Sequence, residues 1–270
     1  MAINFDKLLI PVDFTLNTEI AIKKAMALAG EEKAILHLLH VAPSRSTYAV
    51  WEAKKALEEW VGRIQQDHPN LSVKTHLLKG KAIQRLIIDC ARMLEPDLIL
   101  IGRKSDPRRW GFFRRVSPYV LARKTNCPVL TFKPGSMDSK TRIILLPIRD
   151  FLPERKLEWA ILLARKYKAQ VHLLAIRENR KDEEFPQVFL RVYHRLRESL
   201  FHPVEFSSTT RHDMAKATLS YAQLIMADMI LVNPETESGI GGFTGVRHIS
   251  DLLGRDSKIQ VLDLEPYKIS

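Results

Sequence analysis

The sequence predicts two tandem doubly wound α/β domains, each with a five-stranded parallel sheet flanked by helices. Three observations carry this reading. The chain repeats itself once, each repeat alternates apolar runs with amphipathic ones, and the apolar runs are short and continuous. LLIPVDF at 8–14 returns as ILLPIRDF at 144–151, and HLLHV at 37–41 as HLLAI at 172–176. DLILI at 97–101 returns as DMILV at 228–232, and PVL at 128–130 as QVL at 260–262. Four matches in one order, at offsets of 131–136, mark a duplication. KPGSMDSK at 133–140 has the composition of a connector. The expected division is a first domain over 1–135, a linker over 136–140 and a second, degenerate domain over 141–270.

In the first repeat the strands are expected at 7–12, 34–41, 72–78, 97–101 and 128–132. Their unbroken Ile, Leu and Val runs suit parallel strands covered on both faces. Leu57, Trp60, Val61 and Ile64 recur at helical spacing, as do Ile83, Leu86, Ile87, Cys90, Ala91 and Leu94. A further helix is expected to begin near Arg115. The second repeat carries Leu157, Ala160, Ile161 and Ala164, then Phe189, Val192, Tyr193, Leu196 and Leu200, then Ala217, Tyr221, Leu224 and Ile225. Right-handed crossovers place such stripes on both faces of the sheet. Ligands of such sheets bind beyond the carboxyl ends of the strands, so the loops at 13–17 and 102–114 are where chemistry is expected.

The bulk composition narrows the function class. A chain of 270 residues, 46% hydrophobic and 27% charged, can bury two cores and is not a disordered segment. No apolar run approaches the roughly 18 residues that cross a bilayer, and the first residues carry Asp6 and Asp13. Neither a leader nor a membrane partner is expected. Cys90 and Cys127 read as buried hydrophobes, which suits a cytoplasmic location. The 42 Lys and Arg outnumber 31 Asp and Glu. Residues 102–124 hold eight basic side chains against Asp106 alone.

IPVDFT at 10–15, HVAP at 40–43, DLILIG at 97–102 and NCPVLTF at 126–132 together resemble a tandem universal stress protein, one copy per half. The resemblance implies an adenine nucleotide alpha hydrolase-like fold, pairing of the two domains within the chain through their last strands, and a possible homodimer. Nucleotide-binding members of that family carry Gly-x-x-Gly, nine residues, then Gly-Ser or Gly-Thr. Glycines there let backbone N–H groups approach phosphate, and a hydroxyl at a helix start adds a donor. Gly102 matches the first glycine, Ser105 stands at the second, and Arg115-Val116 replaces Gly-Ser with Ser117 close by. Asp13, in the stretch Pro11-Val12-Asp13, and the Val41 backbone match the positions that hold adenosine. Basic Arg103 and Arg115 would compensate for the missing glycines. The cofactor implied is ATP or another adenine nucleotide, held by the first domain only.

The second half departs further. Arg149 stands at the Asp13 position, with Asp150 after it. Asn233-Pro-Glu-Thr236 replaces Gly-x-x-Gly, and the glycines of SGIGGFTG at 238–245 are off register. A third feature is the loop Arg108-Arg109-Trp110-Gly-Phe112-Phe113-Arg114. It reads as packing, as a surface for an unknown protein partner, as a membrane-interface patch or as a stacking platform for nucleic acid, with packing or a protein interface favoured over nucleic acid. Asp13 also fits a capping role ahead of the first helix, with Thr15 or Asn17 helping. His37 and His40, three apart on a strand, point to opposite faces and cannot share a metal. No nucleophile elbow, P-loop or metal-ligand spacing occurs. The expected function is a non-catalytic stress-response regulator or adaptor with an adenine-nucleotide site in its first domain. The alternative is an adaptor that binds protein or nucleic acid through 103–115.

Overall fold

The computed structural model describes the chain apart from residues 1–2, 31–33, 43–46, 104–115, 138, 149–153, 178–186, 211–212, 234–247, 255 and 266–270. The chain divides into two compact units, Met1–Met137 with Arg255–Ser257, and Asp138–Gly254 with Lys258–Ser270.

The first unit runs β1 (Lys7–Pro11), α1 (Leu16–Ala29), β2 (Ile35–Ala42), α2 (Thr47–Asp67), β3 (Ser72–Lys79), α3 (Ile83–Leu94), β4 (Leu98–Gly102), α4 (Pro118–Thr125) and β5 (Val129–Phe132). Its strands are all parallel, in the order β3-β2-β1-β4-β5. Leu9, Leu39, Val41, Ile99, Ile101 and Val129 project to one face, where Ile87, Cys90 and Ala91 of α3 and Leu121 and Ala122 of α4 cover them. Both cysteines are buried and free, as expected. Cys127 Sγ–H donates to the Pro96 carbonyl at 3.1 Å, and burial pushes the Cys90 thiol pKa up. The helix expected near Arg115 begins at Pro118. Ser117 is its N-cap and accepts from the Val120 N–H, and proline at the first position needs no such acceptor.

The second unit repeats the plan with β6 (Ile143–Ile148), α5 (Glu154–Tyr167), β7 (Gln170–Arg177), α6 (Gln187–Ser199), β8 (Val204–Thr210), α7 (Met214–Leu224), β9 (Met229–Val232), α8 (Ile249–Leu252) and β10 (Gln260–Asp263). The strand order is β10-β9-β6-β7-β8, all parallel. The duplication extends to individual hydrogen bonds. Asp97 accepts from the Lys7 N–H at 2.8 Å at the start of β1. Asp228 accepts from the Arg142 and Ile143 N–H groups at 2.7 and 3.0 Å at the start of β6. Each acid thereby fixes where its central strand begins.

One expected core residue lies outside the core. Leu224 is 77% exposed. The buried stripe of α7 runs through Met214, Ala217, Thr218 and Ala222. At about 100° per residue Leu224 lies well off the centre of that stripe.

Candidate functional site

The sheet order of the first unit turns between β1 and β4, so their carboxyl ends form the switch point. Pro11 shapes it. Proline has no N–H to give, and the β1–β4 ladder holds only Leu8–Leu98 and Leu9–Ile99. On the other side β1 stays paired with β2 as far as Pro11–Leu39, and the Val12 N–H donates to the Leu39 carbonyl at 2.8 Å. Pro147 does the same in the second unit, where the β6–β9 ladder ends at Leu145–Ile230.

Beyond Val12 a side chain replaces the next rung. His40 Nδ1 lies 2.9 Å from the Val12 carbonyl, so it must be the N–H donor. Burial lowers the pKa of His40, with the Val12 bond and the Asp13 charge opposing. The ring lies tilted by 34° against that of Phe14, with centroids 4.5 Å apart, and Phe14 takes a left-handed backbone with φ 58°. The His40 ring thus takes the place where the Val41 N–H would have donated. Ala34 and Ala42 bond towards β3, through the N–H groups of Ser72 and Gly80, so the Val41 backbone groups turn towards β1. Among the described residues neither the N–H nor the carbonyl of Val41 has a backbone partner. Its side chain is fully buried. A donor and an acceptor on one residue at a strand end can read the edge of a flat heterocycle.

Asp13 combines a capping role with an open oxygen. Its Oδ1 accepts from the Thr15 N–H at 3.1 Å, the Thr15 hydroxyl at 2.6 Å and the Thr18 hydroxyl at 2.8 Å. Its own N–H donates to Thr18 Oγ1 at 2.8 Å. Thr15 in turn caps α1 by accepting from the Asn17 N–H. Oδ2 has no partner among the described residues. The capping expectation therefore holds, and one carboxylate oxygen is left for a ligand.

Gly102 closes the other wall. A Cβ built on it would lie 1.8 Å from the Asn17 carbonyl oxygen, so only glycine lets the first turn of α1 sit on the end of β4. Arg103 spends its N–H on the Phe132 carbonyl at 2.8 Å, which extends the β4–β5 ladder by one rung. Ser117 begins α4, which must return from this same edge to begin β5. Its N–H donates to Gln84 Oε1 at 2.7 Å. Pro11, Val12, Asp13, Val41, Gly102, Arg103 and Ser117 thus all lie along the carboxyl edge of the sheet. Ser105 and Arg115 lie outside the described residues, as do Arg108, Arg109, Trp110, Phe112, Phe113 and Arg114. Sequence reading missed Phe14, Thr18, His40 and Gln84 as parts of this edge.

The second unit fills the equivalent edge differently. Asn233, 1% exposed, stands at the Gly102 position, and a side chain there denies α5 the close approach that α1 makes. Lys156 is fully buried, and its ammonium donates to the Pro147 carbonyl at 2.8 Å. Arg155 donates from Nη1 to the Glu265 carbonyl at 3.3 Å. Arg149 and Asp150 lie outside the described residues.

His37 and His40 do face opposite ways. His37 meets a partner that the sequence did not reveal, because β2–β3 register sets Leu39 against His76 and leaves the two rings diagonal. His37 Nδ1 and His76 Nε2 lie 2.9 Å apart in stacked rings. Burial, then His76, then Lys74 and Lys7 bring the His37 pKa down to about 4, and burial with Lys74 lowers His76. Both rings are therefore neutral at pH 7. Unfolded, they titrate near 6.5, so below that pH the unfolded chain binds protons that the folded chain refuses. Their contribution is complete above pH 6.5 and is lost as the pH falls towards 4. We expect the urea midpoint of the wild type to fall more steeply between pH 7 and about 4.5 than that of a His37→Gln/His76→Gln variant. Parallel curves would contradict this. Among the described residues no group of three or more potential ligands could hold a metal, and no helix is long and apolar enough to cross a membrane.

Two five-stranded parallel α/β units, each with a switch-point edge, define a tandem doubly wound protein, a class of fold whose ligands lie beyond the strand ends. Residues 4–133, nearly all of the first unit, match the model of the Universal stress protein family. The whole chain shares its fold with a universal stress protein from Archaeoglobus fulgidus, at a TM-score of 0.67 and 16% identity, covering 97% of this chain and 98% of that one. A putative universal stress protein from Pseudomonas aeruginosa gives a TM-score of 0.63 at 18% identity, with 97% and 94% covered. The cytoplasmic domain of a prokaryotic cation chloride cotransporter gives 0.58 at 13%, with 96% and 95% covered. Comparison with curated proteins gives no match. One scaffold thus serves unlike proteins, and function has to be argued from the site.

Proposed function

We propose that this protein is a non-catalytic regulator or adaptor whose first unit binds an adenine nucleotide at the carboxyl edge of β1, β2 and β4. The observation that carries the reading is that the N–H and carbonyl of Val41 have no backbone partner among the described residues, at the same strand-end edge as Asp13. The Val41 groups would pair with the adenine edge, and Asp13 Oδ2 would accept from a ribose hydroxyl. Ser117 and the cationic Arg103 would lie towards the phosphates, with Ser105 and Arg115 as further contributors. Charged donors of this kind contribute about 1.5–3 kcal/mol each when paired, which substitutes for glycine-loop N–H groups. The second unit, with Asn233 and Lys156 at its edge, serves as scaffold and takes no nucleotide.

Isothermal titration with ATP, AMP and adenosine tests the reading. One site per chain is expected, with adenosine retaining measurable affinity because base and ribose contacts survive without phosphate. No saturable heat with any of the three would refute it. A salt series with duplex DNA reads the alternative, since a nucleic-acid surface loses affinity steeply as salt rises.

A further inference from the structure

The second unit carries a cavity of about 610 Å³ at the opposite end of its sheet from the switch point. It lies at the start of β6 and is lined by Lys140, Arg142, Lys258, Asp228, Met226 and Ile259 among others. All of its lining residues belong to the second unit. Among the described residues no carboxylate forms an ion pair with the side chains of Lys140, Arg142 or Lys258. Asp228, the acid in this lining, turns its Oδ2 to the two backbone N–H groups that begin β6, leaving three cations against one carboxylate.

The duplication supplies an internal comparison. Matching hydrogen bonds set the correspondence: Ile35 donates to the Asp6 carbonyl as Gln170 donates to that of Arg142, and Asp97 donates to Lys7 as Asp228 does to Ile143. Lys140, Arg142, Met226 and Lys258 then correspond to Asn4, Asp6, Glu95 and Asn126. Two negative charges in the first unit become three positive ones in the second. Glu95 and Met226 share a left-handed backbone, with φ 47° and 54°. That conformation belongs to the scaffold, and only the side chain has changed. Met226 is 80% exposed at the cavity, an apolar group where its counterpart is charged. Pro96 corresponds to Ala227, which lacks the ring, and Cys127 to the larger apolar Ile259.

We propose that this cavity binds an amphiphilic organic anion, a carboxylate or phosphate monoester carrying an apolar chain or ring. The three cations would take the anionic head. Met226, Ile259 and Ala227 would take the apolar body, and the volume lies within the roughly 300–1,000 Å³ of small-molecule sites. Neither half of this chemistry suffices alone. Inorganic phosphate lacks the body, and an alcohol lacks the head. This site is separate from the switch-point edge of the first unit, so the two readings stand or fall independently.

The test uses 8-anilinonaphthalene-1-sulfonate as a fluorescent probe on the full chain. We expect one saturable site, displaced by decanoate, with decanol and inorganic phosphate each at least tenfold weaker as competitors. Lys140→Glu/Lys258→Glu should weaken probe binding at least tenfold with an unchanged thermal midpoint. Arg85→Glu, a charge reversal elsewhere on the surface, should leave it unaltered. Should the double variant unfold, Met226→Asp supplies the second reading and should weaken the probe at least threefold. Wild-type affinity in the folded double variant or in Met226→Asp overturns the proposal. Displacement by decanol as strong as by decanoate, or equal loss in Arg85→Glu, overturns it as well.

Discussion

Gly102→Ala is expected to destabilise the first unit by about 3 kcal/mol or more, since the added methyl would overpack a backbone contact with no side chain to yield. The clash is with the Asn17 carbonyl oxygen at 1.8 Å, so relief requires moving the first turn of α1 away from β4. That turn also carries Thr15 and Thr18, both hydrogen-bonded to Asp13. Displacing α1 would therefore loosen the carboxylate as well as the packing. Urea unfolding followed by near-ultraviolet circular dichroism should show a lowered first midpoint. The adenosine affinity, read below that midpoint, should fall with it. A variant as stable as wild type would mean that α1 does not rest on Gly102.

The second large effect is at Asp13, where a stability role and a ligand role can be separated. Asp13→Ala removes the acceptor of three hydrogen bonds and should cost about 2 kcal/mol, within the range for a lost cap and for bonds to a charged group. It should also abolish measurable ATP binding. Asp13→Asn keeps an amide oxygen where Oδ1 accepts, so most of the stability should remain. It loses the charge offered to a ribose hydroxyl, and ATP affinity should drop about tenfold, as one lost charge-assisted bond implies. Chemical denaturation and calorimetry on both variants check the split. If the Asn variant binds ATP like wild type while the Ala variant is merely unstable, Asp13 is a cap and nothing more.

Much of the fold was legible because it rests on patterns confined to single segments. Unbroken Ile, Leu and Val runs gave strands such as β1 and β4 to within a residue or two, and their order placed the ligand edge at the loops after the first and fourth strands. Asp13 and Gly102 were singled out by the motif resemblance, and both lie at the carboxyl edge of the sheet. What escaped depends on register between strands. The His37–His76 pair exists because β2 and β3 align Leu39 with His76. His40 caps Val12 because the β1–β2 ladder stops at Leu39. Lys156 gave no sequence signal of burial, since a lysine in the first turn of a helix ordinarily faces water. Its ammonium is held by a carbonyl at the end of a different element, β6.

On the proposed function, the Val41 backbone reads an adenine edge in the first unit. Amide-resolved nuclear magnetic resonance with adenosine tests it directly. A large shift and slowed exchange of the Val41 N–H are expected at saturation, with the second unit unperturbed. A Val41 amide that neither shifts nor gains protection while adenosine is bound would contradict it.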